Sequence, residues 1–566
     1  MTRRLLIISS GVALAAAAYW VMAQNAPPPM PSLFPAGALL YLEAKDFGGL
    51  LADWNGSTEK SAWLGGSNYQ VFSRSHLFLK LAQAQTEFAA AAGVPPDYAM
   101  LSSVAGTNSG LAIYNIGDLE FLYVTHLASA RTMDTALWKA RGNYQTRRAG
   151  NVDYYVKQDP ASHRYAGFAY TGDRLILATR EDLIAGALEL LAAQARPSVA
   201  SEKWFADSVR AAQAGSQDVR MVYNLERLIA TPHFRSYWAQ RNVSALREFS
   251  SGLSDLERTG GDFLERRVLL RSTPSAAVDD ETATGQALAL VPDDAGLYRA
   301  SLHPAAEQVE HGIAEKIFAA TAPGAVRSKQ APVVINEGEA GTELDLETRI
   351  DEEPLADDPG VGVFAAVRQQ LGSGRVQAML EVASTRVAAD QVFLGSRSAI
   401  ALLSETPWDA AAIRGAIASA AGSLWSSGGL GTGWRASSST GVQELDGLGR
   451  LALAVDGRWL IVGDSAGLVN SLLARRNRAP VSGAVYAAGW RHARELPNFD
   501  RMMRLIDFPQ IPPTAAAAPG DAREPMFYSE NVASLGRVLR RVQSATLAVH
   551  DTGAMLRESA VYRIAP

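Results

Sequence analysis

The commonest arrangement in the chain is an apolar run, a tight turn signal, a second apolar run and then a stretch with helical period. "YAGFAYTGDRLILATREDLIAGALELLAAQARP", from Tyr165 to Pro197, has this form, and so does "LALAVDGRWLIVGDSAGLVNSLLARRNRAP", from Leu451 to Pro480. Gly-Asp and Asp-Gly between apolar runs predict two-residue hairpin turns, and the following apolar residues three and four apart predict a helix. Elsewhere the strands alternate. In "TELDLETRID", Leu344 and Leu346 point one way while Glu343, Asp345 and Glu347 point the other. Such alternation predicts an antiparallel sheet with one wet face and helices on the other.

The pattern is written twice. "PAGALLYLEA" from Pro35 is echoed by "PDDAGLYRAS" from Pro292, which aligns Tyr41 with Tyr298. "GLAIYNIGDLEFLYVTHL" (Gly110 to Leu127) has a counterpart in "DQVFLGSRSAIALLSE" (Asp390 to Glu405), each expected to be a hairpin followed by a helix. "VRMVYNLERLIATPHF" matches "GAVYAAGWRHARELPNF", and "LERTGGDFLERRVLLRS" resembles the closing "VQSATLAVHDTGAMLRESAVYRI". The expected fold class is therefore α+β: two tandem related domains, each an extended antiparallel β-sheet of hairpins packed with helices. They are expected at residues 34–275 and 288–566, joined by a small-residue linker at 276–287, with a mobile loop at 509–525.

At 566 residues and 48% hydrophobic, the chain can fill several cores. Its net charge of -5 and its lack of a basic cluster exclude nucleic acid as a partner. "MTRR" followed by an uncharged apolar run, Leu5 to Ala23, predicts an export signal or membrane anchor, and Val21-Met22-Ala23 suits cleavage after Ala23. A Pro-rich tether follows at 24–33. The expected location is extracytoplasmic or periplasmic, with membrane contact only through residues 5–23. The absence of cysteine, despite export, means the cores hold by packing alone, and it removes thiol, haem-attachment and iron–sulfur chemistry.

"GDSAG", Gly463 to Gly467, matches the Gly-x-Ser-x-Gly of a nucleophile elbow. A secreted serine hydrolase using Ser465 is thus the alternative function, with Asp500 or Asp507 as acid and His550 as base. Against it, the preceding strand is entered from a hairpin, no His-Gly-Gly-Gly segment occurs upstream, and the first half has "LATREDLIAG" at the same place. Asp464, Ser465 and Thr179 are expected to cap helix starts. The eight histidines show no metal-ligand spacing, and the acidic stretch Glu337 to Asp358 lacks an EF-hand pattern. "SSGGLGTGWRASSSTG" (Ser426 to Gly441) has no P-loop lysine and reads as a flexible loop, flanked by Trp425 and Trp434 as the candidate ligand surface. No catalytic, cofactor-binding or metal-binding residue is expected.

The export segment, the tether, the opening "FPAGALLYLEAKDFGGLLADW" (Phe34 to Trp54) and hairpin–helix units in two copies resemble exported bacterial proteins classed as a domain of unknown function. That resemblance implies an α+β body and carries over no functional residues. The expected function is a non-catalytic envelope module that binds or scaffolds an unidentified envelope protein or ligand.

Overall fold

The computed structural model describes residues 28–65, 69, 73, 76–212, 215, 217–231, 246–278, 280–314, 365–372, 375–387, 394–425, 433–438, 441–446, 451–495 and 541–564. The export segment, the stretch "TELDLETRID", the acidic stretch and the loop 509–525 lie outside the described residues. Among those described, no helix is long and apolar enough to cross a membrane.

The chain is α+β, with a large antiparallel sheet. Contacts divide it into two compact units: Met1–Ala52, Leu81–Arg210 and Met221–Asn224 form the first, and Asp53–Lys80, Ala211–Arg220 and Leu225–Pro566 the second. In the first unit, β1 (Leu40–Ala44) pairs with β2 (Ser109–Asn115), which pairs with β3 (Glu120–His126). Beyond β3 come β7 (Arg174–Ala178), β6 (Tyr165–Thr171), β5 (Val152–Gln158) and β4 (Gln145–Ala149). The Asn224 N–H, at the end of β8 (Val219–Asn224), donates to Leu39 O at 3.0 Å on the other side. One core of this unit brings Phe88, Ala91, Met100 and Leu137 from helices onto Tyr123, Phe168 and Leu177.

The second unit repeats that order. Here β11 (Leu297–Leu302) pairs with β12 (Val376–Val387), then come β13 (Leu394–Ser404), β17 (Trp459–Gly463), β16 (Leu451–Asp456), β15 (Gln443–Asp446) and β14 (Gly433–Ala436). On the other side of β11 lies β18 (Tyr486–Trp490), followed by β19 (Val542–Asp551), β20 (Met555–Ile564), β10 (Asp262–Arg271) and β9 (Phe249–Thr259). The two ladders agree residue for residue. Cross-strand partners run Tyr41, Ala112, Leu122, Ala178, Gly167 in the first, and Tyr298, Val382, Ala399, Gly463, Ala452 in the second. Both hairpins turn on a glycine at positive φ, Gly172 (56°) and Gly457 (58°), which suits a two-residue turn.

Several expectations need correction. The compact units do not follow 34–275 and 288–566, because β10 pairs with β20 along most of its length and so the hairpin β9–β10 belongs with the second unit. Residues 276–287 are not only a tether: helix Thr282–Ala289 begins there and buries Thr284 and Ala287. Of the stretch Asp390–Glu405 expected to be a hairpin, the described residues from Leu394 onward hold one strand, β13, in which Gly395 pairs with Arg386 instead of turning the chain. The glycine-rich stretch contains the short strand β14. The sheet is not wet on one face throughout: around β12, β13 and β17, helices 282–289 and 466–473 cover one face while 306–313, 365–371 and 410–425 cover the other. The reason is compositional, since all of Leu451–Ala454 and Trp459–Gly463 is buried and neither run alternates.

Candidate functional site

Ser465 stands at the junction of β17 and the helix Ala466–Leu473, with extended φ/ψ of -144° and 120°. Its hydroxyl makes no capping hydrogen bond. The preceding Asp464 does not cap the helix either. Its N–H donates to Ser398 O at 3.0 Å and its Oδ1 accepts the Ser398 N–H at 2.9 Å, so the side chain clamps β17 to β13. Thr179 does the same in the first unit, its N–H donating to Phe121 O at 3.2 Å and its Oγ1 accepting the Phe121 N–H at 2.9 Å. Arg180, in the place of Ser465, is likewise an N-cap without a capping bond. The expected capping role is thus replaced by a strand clamp. The side chain can bridge two strands there because the helix leaves the sheet at that residue. Burial pushes the Asp464 carboxyl up to about 6.

His550, the candidate base, does not stand beside this serine. His550 lies on β19, and its Nδ1 is 2.8 Å from Glu281 Oε2. Five strand pairings (β17–β13–β12–β11–β18–β19) separate it from the serine's strand, about 24 Å at ~4.8 Å per strand. Asp500 and Asp507 lie outside the described residues. Among the described residues, no cluster of three or more His, Asp or Glu is placed to hold a metal ion.

Of the two tryptophans expected at a ligand surface, Trp434 is half-buried on β14, packs against the core around Ile413 and Leu445, and donates its indole N–H to Arg414 O at 3.1 Å. Trp425 ends the helix Ala410–Trp425, and its side chain lies outside the described residues. A polar recess of about 230 Å³ lies near Trp434, lined by Arg414, Ser437 and Gln443 among others.

The larger recess is on the sheet itself. A trough of about 450 Å³ crosses β10, β20, β19, β18, β11, β12 and β13. The ladder registers explain it. Tyr562, Ala545, Trp490, Leu297 and Ala383 are successive cross-strand partners and so share a face, as do Ala560, Leu547, Ala488, Arg299 and Glu381 in the next row. Four alanines therefore alternate with rings and leucines, leaving space between the larger side chains. Leu297 is 47% exposed and Tyr562 36%. On the opposite face, Gly489 lets the Tyr298 ring lie against β18, since a Cβ there would meet the ring at 2.2 Å.

Among the described residues, the charged side chains lining the trough are paired. Arg299 donates through Nε and Nη2 to the Glu381 carboxylate at 2.6 and 2.8 Å. Arg267 holds Glu265 in the same bidentate way at 2.6 and 2.7 Å. Against the raising effect of burial, the bonds from Arg267 and Ser254 keep the Glu265 carboxyl below its ordinary value. At the register position of the Arg299–Glu381 pair, the first unit has Leu42 opposite Leu111.

The sequence reading missed this trough. The available signal was the alternation of rings with small residues in "AVYAAGW", used there only as a repeat marker, and the space appears only once five separated segments are paired. The arrangement can take up an apolar molecule.

No family model matches the chain, and no curated protein matches it. Among solved structures it is similar to crystal form I of TP0453, at 12% identity and a TM-score of 0.26, covering 44% of this chain and 81% of that one. It is also similar to crystal form III of TP0453, at 10% identity and a TM-score of 0.24, covering 47% of this chain and 87% of that one.

Proposed function

We propose that this chain is an exported, non-catalytic binding module of the cell envelope, its body made by duplication of one α+β unit. The observation that carries the binding role is the trough, an apolar recess of about 450 Å³ on a sheet face, within the size range of small-molecule sites. Duplication is supported by the two ladders, which share strand order, register and the clamp at Thr179 and Asp464. Export is supported by the sequence of residues 1–23, read as signal or anchor. The non-catalytic reading is supported by the Ser465 corner, where the motif's serine follows a strand clamp and its candidate base, His550, stands five strand pairings away.

A fluorophosphonate probe tests the reading. Folded protein is expected to remain unlabelled. Stoichiometric labelling that disappears in Ser465→Ala would establish the hydrolase alternative and overturn the binding module. Stable co-purification of a partner protein from detergent extract would move the function from ligand binding to envelope scaffolding.

A further inference from the structure

We propose that the trough binds one uncharged, elongated apolar molecule of the kind represented by a hydrocarbon or acyl chain, and that only the second half of the duplicated body has such a site. The inference rests on the binding-module reading and adds the ligand class and the stoichiometry.

Register distinguishes the two copies. Ala383 pairs with Ser398 in the second ladder, and the corresponding pair in the first is Ile113 with Phe121. Ala383 and Ser398 both line the trough. In the first unit, Phe121 meets Phe88 with ring centroids 6.5 Å apart and packs against a closed core. The same backbone framework thus carries an isoleucine and a phenylalanine in the first unit where the trough has an alanine and a serine. Two large-to-small differences at one cross-strand pair open space that neighbours on a paired sheet cannot close.

The ion pairs favour an uncharged ligand. Arg299 and Arg267 are each held bidentately by a carboxylate, and the Glu381 side chain is only 9% exposed. A ligand anion would compete with a carboxylate already held in fork geometry, and a ligand cation would approach a carboxylate already neutralised. Between the pairs, the surface offered is Leu297, Leu547, Trp490, Tyr562 and alanine methyls. The recess, at about 450 Å³, has the volume of a small-molecule site.

The test titrates full-length folded chain with N-phenyl-1-naphthylamine, an uncharged apolar fluorophore, and in parallel with the anionic 8-anilinonaphthalene-1-sulfonate. The uncharged probe is expected to bind saturably, and Ala383→Ile/Ser398→Phe, which installs the first half's residues, is expected to weaken it at least about tenfold by filling the recess. Ala488→Trp obstructs the same trough from β18 and serves if the double variant does not fold, with circular dichroism confirming the fold of each. Unchanged affinity in a folded trough variant would overturn the site. Trough-dependent preference for the anionic probe would overturn the ligand class, as would no saturable uptake of the uncharged probe. Fluorophosphonate labelling at Ser465 is the separate result that overturns the non-catalytic reading, so the two failures are distinguishable.

Discussion

Asp464→Thr should stabilise the protein at neutral pH and leave it unchanged in acid. The ionised Asp464 carboxylate is held in a part-buried corner, and burial raises its pKa from 3.8 to about 6. A shift of that size corresponds to about 3 kcal/mol for the charged form, and solvent screening at a part-exposed site reduces it to roughly 1–2 kcal/mol. Well below pH 3.8, at about pH 3, the group is protonated in both folded and unfolded chains and contributes nothing. As pH rises through the interval between 3.8 and about 6, the unfolded chain gives up its proton first, so stability falls, and above about 6 the deficit is constant. Threonine supplies a neutral oxygen for the Ser398 N–H, as Thr179 does for Phe121 at 2.9 Å. Urea unfolding at about pH 7.5 should therefore show the variant more stable by roughly 1–2 kcal/mol, with the difference vanishing by about pH 3. Asn at the same position, isosteric with Asp, should reproduce the effect. Destabilisation at pH 7.5, or an equal effect at both pH values, would refute the reasoning: the bond to Ser398 would then outweigh the cost of burying the charge.

Three other outcomes follow from the packing. Arg220→Ala should cost about 3–5 kcal/mol in chemical denaturation, because it strands Asp255, only 3% exposed and now held at 2.7 Å by both Nε and Nη2; removing both partners should recover part of that, and a cost under 1 kcal/mol would count against the buried pair. Gly489→Ala should lower the melting temperature, since its Cβ would fall 2.2 Å from the Tyr298 ring, a clash worth about 1–3 kcal/mol; an unchanged melt would show that the ring moves freely. Ser465→Ala should leave stability within about 0.5 kcal/mol of wild type, because the hydroxyl makes no capping bond; a larger loss would restore the capping role expected from the sequence.

Local chemistry in the sequence predicted local structure well. The hairpins at Gly172 and Gly457 are encoded by turn residues between apolar runs, and both occur where the pattern places them. Aligning Tyr41 with Tyr298 from the text alone picked out residues that occupy the same row of two ladders. What the sequence did not show was long-range partnership. Nothing local to "LERRVLLRS" says that β10 will pair with β20, and that pairing assigns the hairpin β9–β10 to the second unit. Nor does a serine before a helix reveal that the residue ahead of it will reach across to Ser398. The trough was hidden for the same reason. Ala383, Ala488, Ala545 and Ala560 come from four separated strands, and none is unusual until register sets them side by side.

The most direct test of the account is the number of ligand sites per chain, measured by equilibrium dialysis of the full-length protein against N-phenyl-1-naphthylamine. A duplicated body hollow in one copy predicts a single saturable site per chain that Ala383→Ile/Ser398→Phe removes. Two equal sites per chain, or one site untouched by that substitution, would contradict it.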